Sequence, residues 1–319
     1  MIARLSKFYN ASPKLADAGP IWQDIAASRH SQLIEALESG DALKLASVLD
    51  EFGLSQGVSG IEGNDIFRFG DASCHEAFKQ LARAIGVLPV FNPEQPSPTH
   101  NYCSDFNLPL LAKVEATIGI KLSVPDCFGY RFQGEDGGIP TRLPQYCAAA
   151  FCALRQIGIP RHVLEIGAGL GNLGFITSQW GTSSYTVIDL PQIAVLSAYF
   201  MSKVVGEDHV WLHGEQSARR FARFYPSTCF ANAATLKYDL IFNSDSLPEM
   251  ASEVQDGYME LISNCLSRDG IFLSVNHESD AAGQSRVYDA VKRNGKLSIR
   301  NRSPFWMRPG YVTEIYQLT

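Results

Sequence analysis

The feature that most constrains the fold of this chain is a glycine-rich turn between a strand pattern and a helix pattern. Residues 163–171 read Val-Leu-Glu-Ile-Gly-Ala-Gly-Leu-Gly, so an apolar run leads directly into glycines at 167, 169 and 171. Glycines let a backbone approach a ligand closely, and the first turn of a helix offers N–H groups that have no partner inside the helix. The segment therefore predicts a strand, a ligand-binding turn and a helix, in that order.

The second half of the chain alternates short apolar runs with helical stretches. The predicted strands are 163–166, 185–188, 210–213, 238–243 and 271–275, and the predicted helices are 173–179, 193–204, 255–265 and 285–293. This alternation is typical of βαβ units and a parallel sheet. Two final strand patterns, 296–302 and 311–318, have no helix between them and predict an antiparallel hairpin at a sheet edge. The predicted fold class is α/β with a mostly parallel sheet.

The first half has a different pattern. Apolar spacing predicts helices at 22–38, 42–51, 74–85, 105–118 and 144–157, and the glycine- and proline-rich residues 123–144 predict a long loop or hairpin. We expect a helical N-terminal region, 1–140, that caps the ligand-binding cleft of the second half or mediates dimerisation. We expect residues 141–319 to form the α/β domain.

Charge and composition exclude several classes of protein. The 319 residues include 27 Lys plus Arg and 33 Asp plus Glu, for a formal charge of −6. An acidic chain is a poor partner for nucleic acid or an anionic membrane, since both need a basic surface. No apolar stretch approaches the ~20 residues of a membrane span, and the N-terminus predicts no secretory signal. None of the seven cysteines forms a C-x-x-C pair, so we expect free thiols in a cytoplasmic protein.

Two acidic residues accompany the glycine turn. Glu165 ends the first strand, where a carboxylate suits a ligand with a positive charge. Asp189 ends the next strand, where it can accept hydrogen bonds from both ribose hydroxyls. A dinucleotide-binding G-x-G-x-x-G pattern would need glycine at 172, and the chain has Asn172. The pattern therefore favours a nucleoside-containing cation over a nicotinamide cofactor.

The combination of Glu-Ile-Gly-Ala-Gly-Leu-Gly with Asp189 resembles motif I and the acidic position that follows it in class I S-adenosylmethionine (SAM)-dependent methyltransferases. The resemblance implies a Rossmann-like sheet with an inserted antiparallel seventh strand and SAM as cofactor. It implies that Glu165 and the glycine loop hold the methionine end, while Asp189 holds the ribose. The implied cofactor-binding residues are Glu165, Gly167, Ala168, Gly169, Gly171, Asp189, Leu190 and Asn243.

A narrower resemblance covers roughly residues 125–280. Phe128-Gly-Tyr-Arg-Phe, the Asp-Leu-Pro after the second strand, and Tyr238-Asp-Leu-Ile-Phe-Asn-Ser-Asp-Ser-Leu-Pro-Glu-Met are similar to segments of the bacterial sugar O-methyltransferase family. The resemblance implies O-methylation of a sugar hydroxyl. The chain has Asn172-Leu173-Gly174 where family members commonly carry an aromatic or basic residue.

Three residues are the first candidates for removing the hydroxyl proton, and a fourth is an alternative. His277 follows the 271–275 strand, and histidine is the natural base near neutral pH. Asp245 and Glu249 follow the 238–243 strand, where either carboxylate can act as base, orient His277 or hold the acceptor. His213 is an alternative base. Asp245, Glu249 and His277 also have the chemistry of a divalent (Mg²⁺) site, although a metal-independent reaction is favoured.

Tyr130 and Arg131, before the α/β domain, are candidates for lining the acceptor pocket. An arginine there suits phosphate recognition if the acceptor is a nucleotide sugar. Other functions stay open: methylation of a polyketide or phenol, nicotinamide-dependent oxidoreduction, and a non-catalytic SAM-fold partner protein. A nucleic-acid methyltransferase is disfavoured, because Asn243-Ser244-Asp245-Ser246 lacks the proline–aromatic pair of amino-methylating enzymes.

Overall fold

The computed structural model describes residues 1–13, 19–58, 61, 66–90, 107–129, 139–216, 220–278 and 285–319. The helices of the N-terminal part are α1 (Ile2–Ala11), α2 (Pro20–Ser28), α3 (Ser31–Ser39), α4 (Ala42–Glu51), α5 (Ile66–Ala84) and α6 (Leu108–Ile118). Those of the second part are α7 (Leu143–Ile157), α8 (Asn172–Gln179), α9 (Pro191–Val205), α10 (Phe230–Ala233), α11 (Ser252–Cys265) and α12 (Val287–Asn294). No helix within these ranges combines the length and the hydrophobicity needed to cross a bilayer.

Within the described residues, eight strands form one sheet. They are β1 (His162–Ile166), β2 (Ser184–Asp189), β3 (Val210–Leu212), β4 (Ala222–Pro226), β5 (Tyr238–Ser244), β6 (Leu266–His277), β7 (Leu297–Pro304) and β8 (Tyr311–Leu318). Their order across the sheet is β3-β4-β2-β1-β5-β6-β8-β7. The neighbouring pairs β3–β4, β4–β2, β2–β1, β1–β5 and β5–β6 are parallel. Strand β8 is antiparallel to both β6 and β7. The α/β class and the antiparallel C-terminal hairpin are confirmed, with β8 inserted between β6 and β7.

Helices cover both faces of the sheet, which is why its central strands are apolar on both sides. In β1, Val163 belongs to the hydrophobic cluster that contains residues of α7, α8 and α9. Its neighbour Leu164 points to the opposite face and joins the cluster that contains residues of α11 and α12. The carboxyl ends of β1, β2 and β5 meet at one edge of the sheet, where ligands of open α/β sheets bind.

The N-terminal helices share a hydrophobic core with the sheet domain. Leu5 and Phe8 of α1 belong to the same buried cluster as Phe200 of α9. The Arg4 side chain adds a salt bridge to Glu215, with Nε 2.7 Å from Oε1. The helical region therefore packs directly on the sheet domain.

The structure differs from the predicted elements in several places: α10 was not predicted, and α5 begins at Ile66 instead of residue 74. The predicted helix 22–38 is two helices, because the chain breaks at His30, whose buried ring hydrogen-bonds the Gly57 carbonyl through Nε2 at 2.8 Å. Strand β4 was not predicted, since Arg223 interrupts its short apolar pattern. Helix α1 was not predicted either.

Candidate active site

A cleft of about 830 Å³, including its open mouth, lies at the carboxyl ends of β1, β2 and β5. The glycine turn forms one wall through Gly167 and Gly169, and the end of β2 forms another through Ile188, Asp189 and Leu190. The segment after β5 contributes the polar side chains of Ser244, Asp245, Ser246 and Glu249. Gly19, Trp22 and Ile61 of the N-terminal region also line the cleft, as do Arg142 and Tyr146 of the α7 region. The remaining lining residues are Ile193, Ser227, Met250, Val254 and Tyr258.

The glycine turn depends on backbone conformations that other residues rarely adopt. Gly167, Gly169 and Gly171 have φ values of +73°, +56° and +93°. A Cβ on Gly167 would lie 2.2 Å from Ser246 Oγ, so glycine also permits the close approach of the β5 segment. Gly171 does not line the cleft; it is the N-cap residue of α8. The turn therefore joins the carboxyl ends of β1 and β5.

Asp189 connects the end of β2 to the glycine turn. Its Oδ2 accepts hydrogen bonds from the backbone N–H groups of Ala168 at 2.8 Å and Gly169 at 3.3 Å, and its Oδ1 accepts one from Leu190 at 2.7 Å. Burial raises the pKa of Asp189 to about 7, although these three bonds act in the opposite direction. Asp189 and Leu190 both line the cleft, whereas Ala168 is fully buried and is not part of the lining. Binding of a cofactor by these residues stays a prediction.

Glu165 has a different environment from the one expected of a residue that holds the cofactor. It is fully buried and lies outside the cleft lining, and the Tyr185 hydroxyl donates a hydrogen bond to its Oε2. Its Oε1 has no hydrogen-bond partner among the residues that the structure describes. Burial raises the pKa of Glu165 well above its usual range. Its predicted role at the methionine end stays a prediction.

Asn243 is also fully buried at the end of β5. Its Nδ2 donates to the Ile166 carbonyl at 2.8 Å and to Ser246 Oγ, and its Oδ1 accepts from Asn276 at 2.9 Å. These bonds link the carboxyl ends of β1, β5 and β6. The predicted contact of Asn243 with the cofactor is not tested by this geometry, which gives the residue a supporting position behind the cleft.

Asp245 lies at the centre of an ionic cluster. Its Oδ2 is 2.6 Å from Arg142 Nη1 and 2.8 Å from Arg308 Nη1, and its Oδ1 accepts a hydrogen bond from the Tyr311 hydroxyl at 2.6 Å. Burial opposes ionisation, but the two guanidinium groups outweigh it and hold the pKa of Asp245 below its usual value. Both oxygens are occupied and the carboxylate stays ionised, so Asp245 is a poor proton acceptor.

Glu249, four residues further on, has no cationic partner at bonding distance among the residues that the structure describes. Its Oε2 accepts a hydrogen bond from Trp22 Nε1 at 2.7 Å. Burial raises the pKa of Glu249 to about 7, against the effect of the Trp22 bond. A carboxylate in the cleft with that pKa can accept a proton near neutral pH.

The two histidines that the sequence suggested lie away from the cleft lining. His277 ends β6 and is paired in register with Tyr311, whose ring it meets edge-on at a centroid distance of 5.7 Å. His213 follows β3 and packs against Trp211 and Tyr225. Tyr311 therefore separates His277 from Asp245, and the role of His277 as a base stays a prediction.

Tyr130 and Arg131 lie outside the described residues. Within the described ranges there is no group of three or more His, Cys, Asp or Glu side chains arranged to hold a metal ion. Sequence reasoning missed Trp22, Arg142, Arg308 and Tyr311. Of these four residues, only Tyr311 could have been found from the sequence. Pairing the predicted strand 311–318 with the predicted strand 271–275 places Tyr311 opposite His277.

Comparison with known proteins found similar folds. The structure is similar to an O-methyltransferase family protein from Burkholderia thailandensis, with 14% identity, a TM-score of 0.43 and coverage of 56% of each chain. It is similar to the N-methyltransferase NodS from Bradyrhizobium japonicum in complex with S-adenosyl-L-homocysteine, with 14% identity, a TM-score of 0.41 and coverage of 55% of this chain and 85% of that chain.

A third similar structure is the magnesium protoporphyrin IX methyltransferase from Synechocystis PCC 6803 with bound SAM, with 16% identity, a TM-score of 0.41 and coverage of 55% of this chain and 79% of that chain. The chain spans 56% of the length of the Burkholderia protein. No family model matches the chain, and no curated protein matches it.

Proposed function

We propose that the protein is a SAM-dependent O-methyltransferase that acts on the hydroxyl group of a sugar-type acceptor. The observation that carries the proposal is the position of Asp189, which lines the cleft while its carboxylate holds the glycine turn. The sheet order, with the antiparallel β8 between β6 and β7, supports the same assignment.

The chemistry of the cleft fits SAM. A carboxylate has about four lone-pair sites, and Asp189 uses three of them on backbone N–H groups, which leaves capacity for a ribose hydroxyl. Ile188, Leu190 and Ile193 provide apolar surface beside Asp189 for the adenine ring. Gly167 and Gly169 let the backbone approach the ligand closely. SAM, when bound, supplies an electrophilic methyl group on a positively charged sulfur.

Glu249 is the base in this proposal. In-line methyl transfer needs an oriented acceptor and a group that removes the hydroxyl proton. Of the three predicted candidates, Asp245 is held ionised by two arginines, and His277 packs behind Tyr311. Glu249 lines the cleft and has a pKa of about 7.

The acceptor side of the cleft supports a ligand with several hydroxyl groups. Trp22 and Tyr146 provide aromatic faces, and Ser244 provides a hydroxyl that both donates and accepts hydrogen bonds. Sugar rings have both apolar faces and hydroxyl edges, so they match such a lining. The N-terminal region acts as a cap in this proposal, because Gly19, Trp22 and Ile61 form part of the wall.

Transfer of a tritiated methyl group from SAM to a panel of acceptors tests the proposal. The panel contains free sugars, nucleotide sugars, glycosylated metabolites and phenols. We expect labelling of a sugar-containing acceptor by the wild type and loss of labelling with Glu249→Gln. Labelling of phenols alone would contradict the sugar assignment.

A further inference from the structure

Trp22 connects the N-terminal helical region to the catalytic side of the cleft. Its indole Nε1 donates to Glu249 Oε2 at 2.7 Å, a contact between residues 227 positions apart. Gly19, just before α2, packs so closely against the Glu249 carbonyl that a Cβ there would lie 2.7 Å from the oxygen. Two adjacent contacts therefore fix the start of α2 on the turn that carries Glu249.

Aromatic contacts also position the indole ring of Trp22. Trp22 meets the ring of His30 at a centroid distance of 6.3 Å, and His30 meets Phe52 at 5.9 Å. His30 is fully buried and bonded to the Gly57 carbonyl, so it is a fixed support. The Trp22 N–H thus has a defined direction before any ligand arrives.

Glu249 has two other charged neighbours that affect its ionisation. Asp245 raises its pKa and Arg142 lowers it, while the Trp22 hydrogen bond stabilises the carboxylate. Oε1 has no hydrogen-bond partner among the residues that the structure describes, although Oε2 has Trp22. One carboxylate oxygen is therefore anchored, and the other is available to a ligand in the cleft that Glu249 lines.

We propose that Trp22 is a positioning residue that anchors Oε2 of Glu249 and leaves Oε1 to receive the proton of the acceptor hydroxyl. The inference rests on the proposed function, in which Glu249 is the base. It makes the N-terminal helical region part of the catalytic site, since α2 supplies the hydrogen bond that orients the base.

The test is an NMR titration of the Glu249 carboxyl in protein whose glutamate carboxyl carbons are labelled with ¹³C. The signal is assigned by its absence from Glu249→Gln. We expect a midpoint near pH 7 in the wild type. Trp22→Phe keeps an aromatic ring but removes the N–H, so we expect the midpoint to rise by about half a pH unit or more. The matched control is Trp180→Phe, because Trp180 is also half-buried but packs on Phe151.

A second measurement needs no substitution of Trp22. The ¹⁵N indole signal of Trp22 in the wild type is expected to follow pH with the midpoint of Glu249 and to lose that transition in Glu249→Gln. An unmoved midpoint in Trp22→Phe, an equal shift in Trp180→Phe, or an indole signal that ignores Glu249 would overturn the inference.

Calorimetric binding of S-adenosyl-L-homocysteine separates the two proposals. We expect Trp22→Phe to bind it within about twofold of the wild type, since Trp22 acts on the acceptor side. Lost binding in this variant alone would overturn the inference by placing Trp22 in the cofactor site. Absence of binding in the wild type would remove the proposed function, while the carboxyl titration would still report on Trp22 and Glu249.

Discussion

Arg142 and Asp245 form a salt bridge of 2.6 Å between residues 103 positions apart, at the point where α7 meets the segment after β5. The side chains are 14% and 17% exposed, so water screens the pair little. Arg308 adds a second guanidinium to the same carboxylate oxygen. Asp245 also has φ of +67°, a left-handed conformation that is uncommon outside glycine, although asparagine and aspartate adopt it more readily than other residues. The cluster therefore fixes a strained backbone position at the edge of the cleft.

Replacement of Asp245 by asparagine is expected to destabilise the fold by roughly 2–4 kcal/mol, because two poorly hydrated arginines lose their counter-ion. Asparagine tolerates the positive φ, so the loss reports on charge rather than on backbone strain. Urea denaturation measures it. The control is Asp256→Asn, which breaks an exposed bridge to Arg293 and is expected to cost less than about 1 kcal/mol. Equal costs for the two variants would contradict the account of the cluster.

Alanine at Gly167 is expected to disrupt the glycine turn. A Cβ there would lie 2.2 Å from Ser246 Oγ in addition to the strain of φ +73°. Gly295→Ala is the matched control, since its φ is +71° and nothing lies within 4 Å of the new Cβ. We expect Gly295→Ala to cost about 1–2 kcal/mol of unfolding free energy, and Gly167→Ala to cost clearly more. Similar denaturation midpoints for the two variants would contradict this expectation, because they would show that Ser246 moves away from the new Cβ at no cost in stability.

Asp189→Asn is expected to weaken binding of S-adenosyl-L-homocysteine about tenfold or more, because the ribose loses a charged acceptor. Asp239→Asn is the control. Its carboxylate also accepts from two backbone N–H groups, those of Arg161 and His162, but at the amino end of β1, away from the cleft. Isothermal calorimetry compares the two variants. Equal losses of binding affinity in the two variants would indicate that the substitutions act through fold stability and not through recognition of the ribose.

Binding of S-adenosyl-L-homocysteine is expected to strengthen with pH. Burial raises the pKa of Asp189 to about 7, so the carboxyl is mostly protonated at pH 6 and mostly ionised at pH 8. If the ribose binds the ionised form, the dissociation constant falls about tenfold from pH 6 to pH 8, with proton release. The dependence should largely disappear in Asp189→Asn. An unchanged slope in that variant would assign the titration to another group.

Local patterns predicted the centre of the fold. Strand β1, the glycine turn and helix α8 follow one another directly in the sequence, and β8 is a single continuous segment. These elements depend on periodicity and glycine placement, which a single sequence displays. The position of Asp189 followed from the same reasoning, since the carboxyl ends of adjacent parallel strands meet.

The acceptor side could not be predicted in the same way. Asp245 meets Arg142 and Arg308 across separations of 103 and 63 residues, and Glu249 meets Trp22 across 227. Such contacts depend on how distant elements pack, and no local pattern displays that. His277 illustrates the difference: its place at a strand end was predicted, but its packing against Tyr311 was not.

The most direct test of the account is calorimetric titration of the wild-type protein with S-adenosyl-L-homocysteine, with NAD titrated in parallel. The account predicts saturable binding of S-adenosyl-L-homocysteine at one site per chain and no heat from NAD. Binding of NAD, or of neither ligand, would contradict the assignment of the cleft as a SAM site and leave only the fold.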